Sequence, residues 1–528
     1  MTAPGLGAPT LCEAFQQTAG RFADQPALRT PGDRESMTWR EYATRVEQVA
    51  GGLAQLGVGK GDTVALMLHN RPEFHVLDTA ALHLGATPFS IYNTASPAQI
   101  AELFANAENR LTICEREFSG TLREAGAEQL VEIEDGLPEA GHPDFEAAWQ
   151  AVGPEDVATL IYTSGTTGPP KGVLMTHANL LAALRGWDGV VALPAGGRVV
   201  SYLPLAHIAD RFVAHYWSLV TGATVTSVDD PRAVIEALPD VRPTSFLAVP
   251  RIWEKLQAAL IAKGLTDPAA LPDDVKVVVH ERLGLDCAEW LASGSAPIAP
   301  QVLEYFASLG MPVIEGWAMS ETGCSGTINP PDAIRVGTVG KPVPEMEARL
   351  LDDGELLVRG PSVMRGYRND PEKTAAALDS DGWLHTGDIA EIDDDGYVRI
   401  VDRKKELIIN AAGKNMSPAN IEQALKSASP LIGQACAIGN RRPYNVALLV
   451  LDPEAAAGRG ADDSDIRREV AAAVERANAQ LSRVEQIKRY ALLPDDWIPD
   501  SDELTATMKL KRRGITEKYA AEIEALYT

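Results

Sequence analysis

From Trp39 to Ile314, short apolar runs alternate with stretches of helical periodicity, and that alternation confines the chain to parallel sheets of the α/β kind. Thr38-Trp39-Arg40-Glu41 is a capping box, after which Tyr42, Val46, Val49, Leu53 and Leu56 recur at helical spacing until Gly57 stops the helix. Gly61-Asp62 leads into an apolar strand at 63–68, and a second helix, 77–84, leads into a strand at 86–89. Further strands are expected at 199–203, 224–228, 245–249 and 312–314, with no fixed-period repeat. The least polar long run, 212–228, carries His, Ser, Thr and Gly and reads as a buried helix running into a strand rather than a membrane span.

A chain of 528 residues exceeds one compact core, so at least two domains are expected. From about Val339 the texture changes. Short strands at 349–351, 354–359 and 396–401, split by Gly and Asp, suggest a small antiparallel or barrel-like piece. After Asp402-Arg403 a compact α+β module begins. Ser417-Pro418 caps a helix through Ile421 and Leu425, 447–451 is a strand, and Ser464-Asp465 starts a long helix. Ile466, Val470, Val474, Ala477, Leu481 and Val484 share one face of that helix, which reads as core. For three of the four basic residues Lys509, Lys511, Arg512 and Arg513 the expectation is a solvated face. The fold class is therefore α/β: a large N-terminal domain of two parallel α/β sheet subdomains with a small β-barrel-like subdomain, 1–402, and a small C-terminal α+β domain, 403–528.

The formal net charge of −25 argues against nucleic acid held by bulk charge and against electrostatic docking on anionic membranes. Cys12, Cys114, Cys287, Cys324 and Cys436 form no CxxC pair, which suits a reducing cytoplasm and offers no metal site. Residues 1–7 carry no signal-peptide pattern, and the expected location is cytoplasmic. A phosphate-bearing ligand must then be gripped locally. Thr163-Ser164-Gly165-Thr166-Thr167-Gly168-Pro169-Pro170-Lys171, directly after the buried strand 158–162, has the chemistry for it. Hydroxyls and bare backbone N–H groups wrap a phosphate, glycine lets the backbone come close, and lysine adds a point charge. The Walker spacing is absent.

Six further stretches stand in order behind this loop. Tyr202-Leu203-Pro204-Leu205-Ala206-His207 ends a strand with a histidine, and Ser293-Gly294-Ser295-Ala296-Pro297 is a small-residue turn. Glu315-Gly316-Trp317-Ala318-Met319-Ser320-Glu321 follows a strand. Trp383-Leu384-His385-Thr386-Gly387-Asp388 precedes the change of domain, Asp402-Arg403-Lys404-Lys405-Glu406 sits at it, and Thr505-Ala506-Thr507-Met508-Lys509 lies near the end. In this order they resemble the acyl-adenylate-forming superfamily of acyl-CoA synthetases, luciferases and peptide-synthetase adenylation domains. The resemblance runs from about Phe15 to Tyr519. Within it, the phrases 201–208 and 249–255, and an apolar Met508 before the terminal lysine, are similar to long-chain fatty acyl-CoA synthetases.

The resemblance implies a chemistry and a cast of residues. A carboxylate attacks the α-phosphorus of ATP to give an acyl-adenylate and pyrophosphate, and the thiol of coenzyme A then displaces AMP. Because an anion approaches a polyanion, cations must neutralise the transition state. The resemblance places Mg²⁺ near Thr163 and Glu321, and makes Lys509 the second cation, between the substrate carboxylate and the α-phosphate. Ser164, Gly165, Thr166, Thr167, Gly168 and Lys171 hold the outer phosphates, and Ser320 donates to the α-phosphate. Asp388 takes the ribose hydroxyls, supported by Arg403. Trp317 stacks on adenine, lined also by Ser293, Gly294, Ser295, Ala296, Glu315 and Gly316; a core tryptophan is the competing reading. His207 stands near the carboxylate and thiol entry, and a satisfied core histidine is the alternative there. Lys405 falls at the family's hinge, Gly413 faces the CoA tunnel, and the C-terminal domain is expected to be mobile.

The expected activity is a long-chain fatty acid–CoA ligase with its acyl pocket near 207–217 and 294–319. An acyl-AMP ligase serving a carrier protein or an amine, an aryl-acid CoA ligase and a luciferase-type oxygenation are rivals in the same chemistry. A non-catalytic nucleotide-binding regulator is a rival from another class, against which Lys509, Glu321 and Asp388 together count. Weak peripheral membrane contact stays open, and chain length and oligomeric state are not legible.

Overall fold

The computed structural model describes residues 3–163, 170–192, 194–410, 414–498, 501–505 and 509–528. Its first sheet runs Thr87–Ser90, Thr63–Met67, Leu111–Cys114, Leu130–Glu132, all parallel. Every residue of the first three strands is buried, which is why each reads as an apolar run without alternation. The helix Trp39–Gln55 opens at Thr38 with both bonds of the capping box and ends before Gly57, at φ 85°. The helix Pro72–His83 is buried along nearly its whole length.

A second sheet runs Ser36–Thr38, Pro26–Arg29, Thr224–Ser227, Arg198–Ser201, with only the first pair antiparallel. The Thr244 N–H donates to the Arg198 carbonyl at 2.9 Å and ties this sheet to a third. There Ser245–Ala248, Trp290–Ser293 and Val313–Ala318 are parallel, extended by antiparallel Gly326–Ile328 and Lys341–Pro342. The run expected as one helix before Thr224 is broken: Ile208–Asp210 is α-helical, Arg211–Tyr216 is a π turn, and Trp217–Thr221 is α-helical again. The π turn carries a fully buried arginine. Arg211 meets Asp78 at 2.6 Å, and His215 takes the other oxygen of Asp78 at 2.9 Å. Such a charge is kept inside only by pairing.

Glu347–Leu350, Glu355–Arg359, Leu384–Ile392 and Val398–Arg403 form the expected small antiparallel piece. Beyond it the mixed sheet Ile432–Ile438, Asn445–Leu451, Ile487–Leu493 packs with helices Pro418–Ala428 and Ser464–Gln480. Ser417 caps the first helix; Ile466, Val470, Val474 and Ala477 are the buried face of the second. The hydrophobic clusters that begin at Ile408 are separate from the large cluster that ends at Val398. Polar bonds bridge these two parts: Lys255 to Glu454 at 2.8 Å, Arg251 to Asp452, and Ser417 Oγ to Asp402 at 2.5 Å.

One expectation in the tail fails. Arg512 is not a solvated charge; both its Nη atoms donate to the buried Glu422, at 2.6 and 2.7 Å. All five cysteines are free thiols. Among the described residues no helix is long and apolar enough to cross a membrane.

Candidate active site

Val157–Thr163 and Lys171–Thr176 are the arms of an antiparallel hairpin, with Thr163 directly opposite Lys171. Ser164, Gly165, Thr166, Thr167 and Gly168 lie outside the described residues. A third strand, Gly366–Tyr367, pairs with the outer arm and sets Tyr367 beside Val173. Lys171 Nζ stands 4.9 Å from the Tyr367 ring, and the Tyr367 hydroxyl donates to Glu321 Oε1 at 2.8 Å. Glu321 sits on the single turn Ser320–Thr322 after the strand Val313–Ala318, and its backbone carbonyl accepts from Met364 N–H at 2.7 Å. The hairpin mouth and the carboxylate are therefore joined through Tyr367, which no sequence motif singled out.

Parallel pairing makes Ser293 and Glu315 register neighbours at the ends of adjacent strands. Ser293 is buried, the turn Ser295-Ala296-Pro297 is exposed, and Ser295 adopts φ 70°. Ser293 Oγ and Glu315 Oε2 have no hydrogen-bond partner among the described residues. Burial pushes the Glu315 carboxyl up to about 7. Trp317 is half-buried rather than a core residue, and its indole N–H donates to Asp388 Oδ2 at 2.8 Å. Arg403 Nε holds Asp388 Oδ1 at 2.8 Å, as cross-strand pairing of Asp388 with Arg403 dictates. Burial raises the Asp388 pKa, opposed by Arg403, the Trp317 bond and Lys509.

Lys509 arrives from the far end of the chain. Its surface is exposed although protein crowds around its ammonium, and its charge is felt by Asp388, Glu321 and His207. That crowding, with the nearby Arg403 guanidinium, lowers its pKa, while Asp388, Glu321 and Glu406 pull the other way. His207 is half-buried, and burial together with Lys509 pushes it down to about 3. Its Nδ1 accepts the Ala209 N–H at 3.2 Å. The neutral ring must then carry its proton on Nε2.

The loop that presents His207 is fixed from three sides by residues sequence reasoning missed. Asp210 accepts from Ser201 Oγ at 2.7 Å, Tyr202 N–H at 3.0 Å and Leu203 N–H at 2.9 Å. Arg211 Nε donates to the Leu205 carbonyl at 3.1 Å, and Asn70 Nδ2 to the Leu203 carbonyl at 2.9 Å. Each is buried and polar, a signal that only the folded chain reveals.

The run expected to line an acyl pocket is tightly packed here. The Trp187 ring lies 5.7 Å from Phe212, 6.2 Å from Trp217 and 5.8 Å from Trp290, with Trp217 and Trp290 5.4 Å apart. Lys405 is exposed, and Gly413 lies outside the described residues.

The hairpin 157–176, the carboxylates Asp388 and Glu321 and a lysine from a separate core thus converge. Family models described as AMP-binding enzyme and AMP-binding enzyme C-terminal domain match residues 15–368 and 405–528. The chain belongs to the AMP-binding enzyme family. A Mycobacterium tuberculosis relative, fadD11, provisionally named a fatty-acid–CoA ligase, is 50% identical over 73% of this chain and 76% of its own length. The long-chain-fatty-acid–CoA ligase FadD15 of Mycobacterium bovis is 35% identical, covering 93% of this chain and 92% of its own. Among solved structures, the adenylation domain of a carboxylate reductase from Mycobacterium chelonae superposes with a TM-score of 0.82 at 23% identity, over 99% of this chain and 92% of that one. At that identity the likeness is one of fold.

Proposed function

We propose that this AMP-binding enzyme is an ATP- and Mg²⁺-dependent ligase that activates a long-chain fatty acid as acyl-AMP and transfers it to coenzyme A, releasing AMP and pyrophosphate. The observation that carries the proposal is the convergence of Lys509 with Asp388, Arg403, Glu321 and His207. FadD15, named a long-chain-fatty-acid–CoA ligase, supports the substrate class.

Asp388 accepts the ribose hydroxyls, while Trp317 and Arg403 hold its carboxylate in place. Ser293–Ala296, Glu315, Gly316 and Trp317 frame the base. Thr163 to Gly168 and Lys171 grip the outer phosphates, and Ser320 donates to the inner one. Thr163 and Glu321 offer the hydroxyl and carboxylate oxygens that suit Mg²⁺, with Tyr367 fixing one oxygen of Glu321. When bound, that ion supplies charge neutralisation on the phosphates. Lys509 places its ammonium between the acid and the α-phosphate, and His207 offers its Nε2–H to the carboxylate. The chain divides at 402/403; rotation about Lys405 then withdraws Lys509 and lets coenzyme A enter past Gly413.

The test is fatty-acid-dependent ATP–pyrophosphate exchange, followed by product analysis with coenzyme A across acids of graded length and aryl acids. Acyl-CoA from long-chain acids is the expected product. No exchange with any fatty acid, or products from aryl acids alone, would overturn the reading.

A further inference from the structure

Residues 403 to 406 are fastened to different parts of the protein. Arg403 pairs with Asp388 at 2.8 Å, and Lys404 Nζ with Glu355 at 2.7 Å and Asp353 at 2.5 Å, in the antiparallel sheet before the boundary and the turn leading into its second strand. The Lys404 N–H also donates to the Gly387 carbonyl at 2.8 Å. The side chain of Glu406, two residues on, reaches to the other side, although its N–H donates to the Arg403 carbonyl at 2.9 Å. Its Oε2 accepts from Arg512 Nε at 3.1 Å. Exposed Lys405 is the residue between the two sets of bonds.

Arg512 in turn is rooted in the C-terminal core. Its fork closes on both oxygens of Glu422, at 2.6 and 2.7 Å, and Glu422 Oε1 also accepts the Ala437 N–H at 2.8 Å. A bidentate guanidinium–carboxylate pair is a rigid joint, fixed in direction as well as distance. Arg512 follows directly on the segment that holds Lys509. That segment is closed by the bridge between Leu504 and Leu510, by Thr505 N–H to the Lys509 carbonyl at 2.8 Å, and by Lys509 N–H to Thr505 Oγ1 at 3.0 Å.

We infer that the Glu406–Arg512–Glu422 triad is a positioning device that ties the chain leaving Lys405 to the segment carrying Lys509, so that the hinge and the lysine move as one body. The inference rests on the reading that Lys509 serves adenylation and that the chain turns at Lys405. Its specific content is that Glu406, which touches no reacting atom, sets where Lys509 stands in one half-reaction only. Within the turn, the Arg403 carbonyl accepts the Glu406 N–H at 2.9 Å and the Leu407 N–H at 3.2 Å, so rotation at Lys405 must open these two bonds while the side-chain bonds on either side hold. Without the Glu406 arm, the turn at 403–407 flexes independently of the core, and the ammonium loses its fixed place above Asp388 and Glu321. The second half-reaction, from which Lys509 is withdrawn, does not call on the link.

The experiment uses the full-length chain and compares Glu406→Ala with Glu406→Gln, whose amide oxygen still accepts from Arg512 Nε. Pyrophosphate exchange should fall about tenfold in Glu406→Ala, with less loss in Glu406→Gln. Thioester formation from supplied acyl-adenylate and coenzyme A should stay within about twofold of wild type, which also reports that the domain is folded. In a Lys509→Ala background, Glu406→Ala should add no further loss of exchange, because the residue acts through the lysine. Unchanged exchange in Glu406→Ala, equal loss of both half-reactions, or additive loss with Lys509→Ala would each overturn the inference. A wild-type protein that performs neither half-reaction would instead overturn the proposed activity itself.

Discussion

Trp317 and Asp388, 71 residues apart in the chain, meet through a 2.8 Å bond from indole N–H to carboxylate. Ring and acid are thereby one unit, braced on the other side by Arg403, and under the proposed function that unit holds base and ribose together. Trp317→Phe keeps an aromatic face and removes the donor. A hydrogen bond to a charged group contributes about 1.5–3 kcal/mol, so KM for ATP should rise about tenfold or more with kcat less affected. Steady-state kinetics at varied ATP checks this, and an unchanged KM would count against the bracing role.

Lys509→Ala should leave only a small, measurable residue of acyl-adenylate formation and spare thioester formation from supplied acyl-adenylate. Loss of one preformed electrostatic contact in an active site costs on the order of 10²–10³ in rate. Equal survival of both half-reactions would remove Lys509 from the mechanism.

His207 should stay neutral throughout the working pH range, since burial and Lys509 push its pKa down to about 3. It gains a proton only as pH falls through about 3, so the adenylation rate should show no step near pH 6.5 belonging to this ring. His207→Ala should slow adenylation without moving the limbs of the pH profile. A limb near pH 6.5 that vanishes in His207→Ala would make it a titrating base instead.

Asp210 carries a folded-state pKa raised by burial to about 7, against its ordinary value of 3.8. A raised pKa favours the protonated form on folding. Its contribution is full below 3.8 and is lost as pH climbs through about 7. Asp210→Asn should flatten that part of the stability profile. At pH 7 it should also destabilise by about 1–3 kcal/mol, because its Oδ1 still accepts the Tyr202 and Leu203 N–H groups while its NH2 faces the Asn70 amide that donated to Oδ2. Thermal melts from pH 4 to 8 read both effects; a wild-type profile flat over that range would refute the titration.

Features that depend on neighbours in sequence were open to reading. The capping box at Thr38, the cap at Ser417 and the buried face through Ile466, Val470 and Val474 need only a few consecutive residues. The strand entering Glu315 follows from its apolar run, whereas the strands Trp290–Ser293 and Leu384–Ile392 escaped reading. Contact across the fold escaped it too. Arg512 looked solvated because its partners, Glu422 and Glu406, lie 90 and 106 residues away. Tyr367 and Glu321 are 46 apart and share no motif, and Asn70 reaches Leu203 across 133. The π turn was hidden for another reason. Its residues are buried all round, so no polar face revealed a change of period.

A π turn holds one residue more than the α-helix it interrupts. Each α-helical residue advances by about 100°, so everything from Trp217 to Thr221 stands out of phase with Ile208–Asp210 by that amount. The extra residue sits where Arg211 and His215 share Asp78. Removing one residue between Arg211 and Tyr216 would restore a regular helix and swing Trp217 away from Trp187 and Trp290. A one-residue deletion at this turn should therefore cost the fold more than one in an exposed loop.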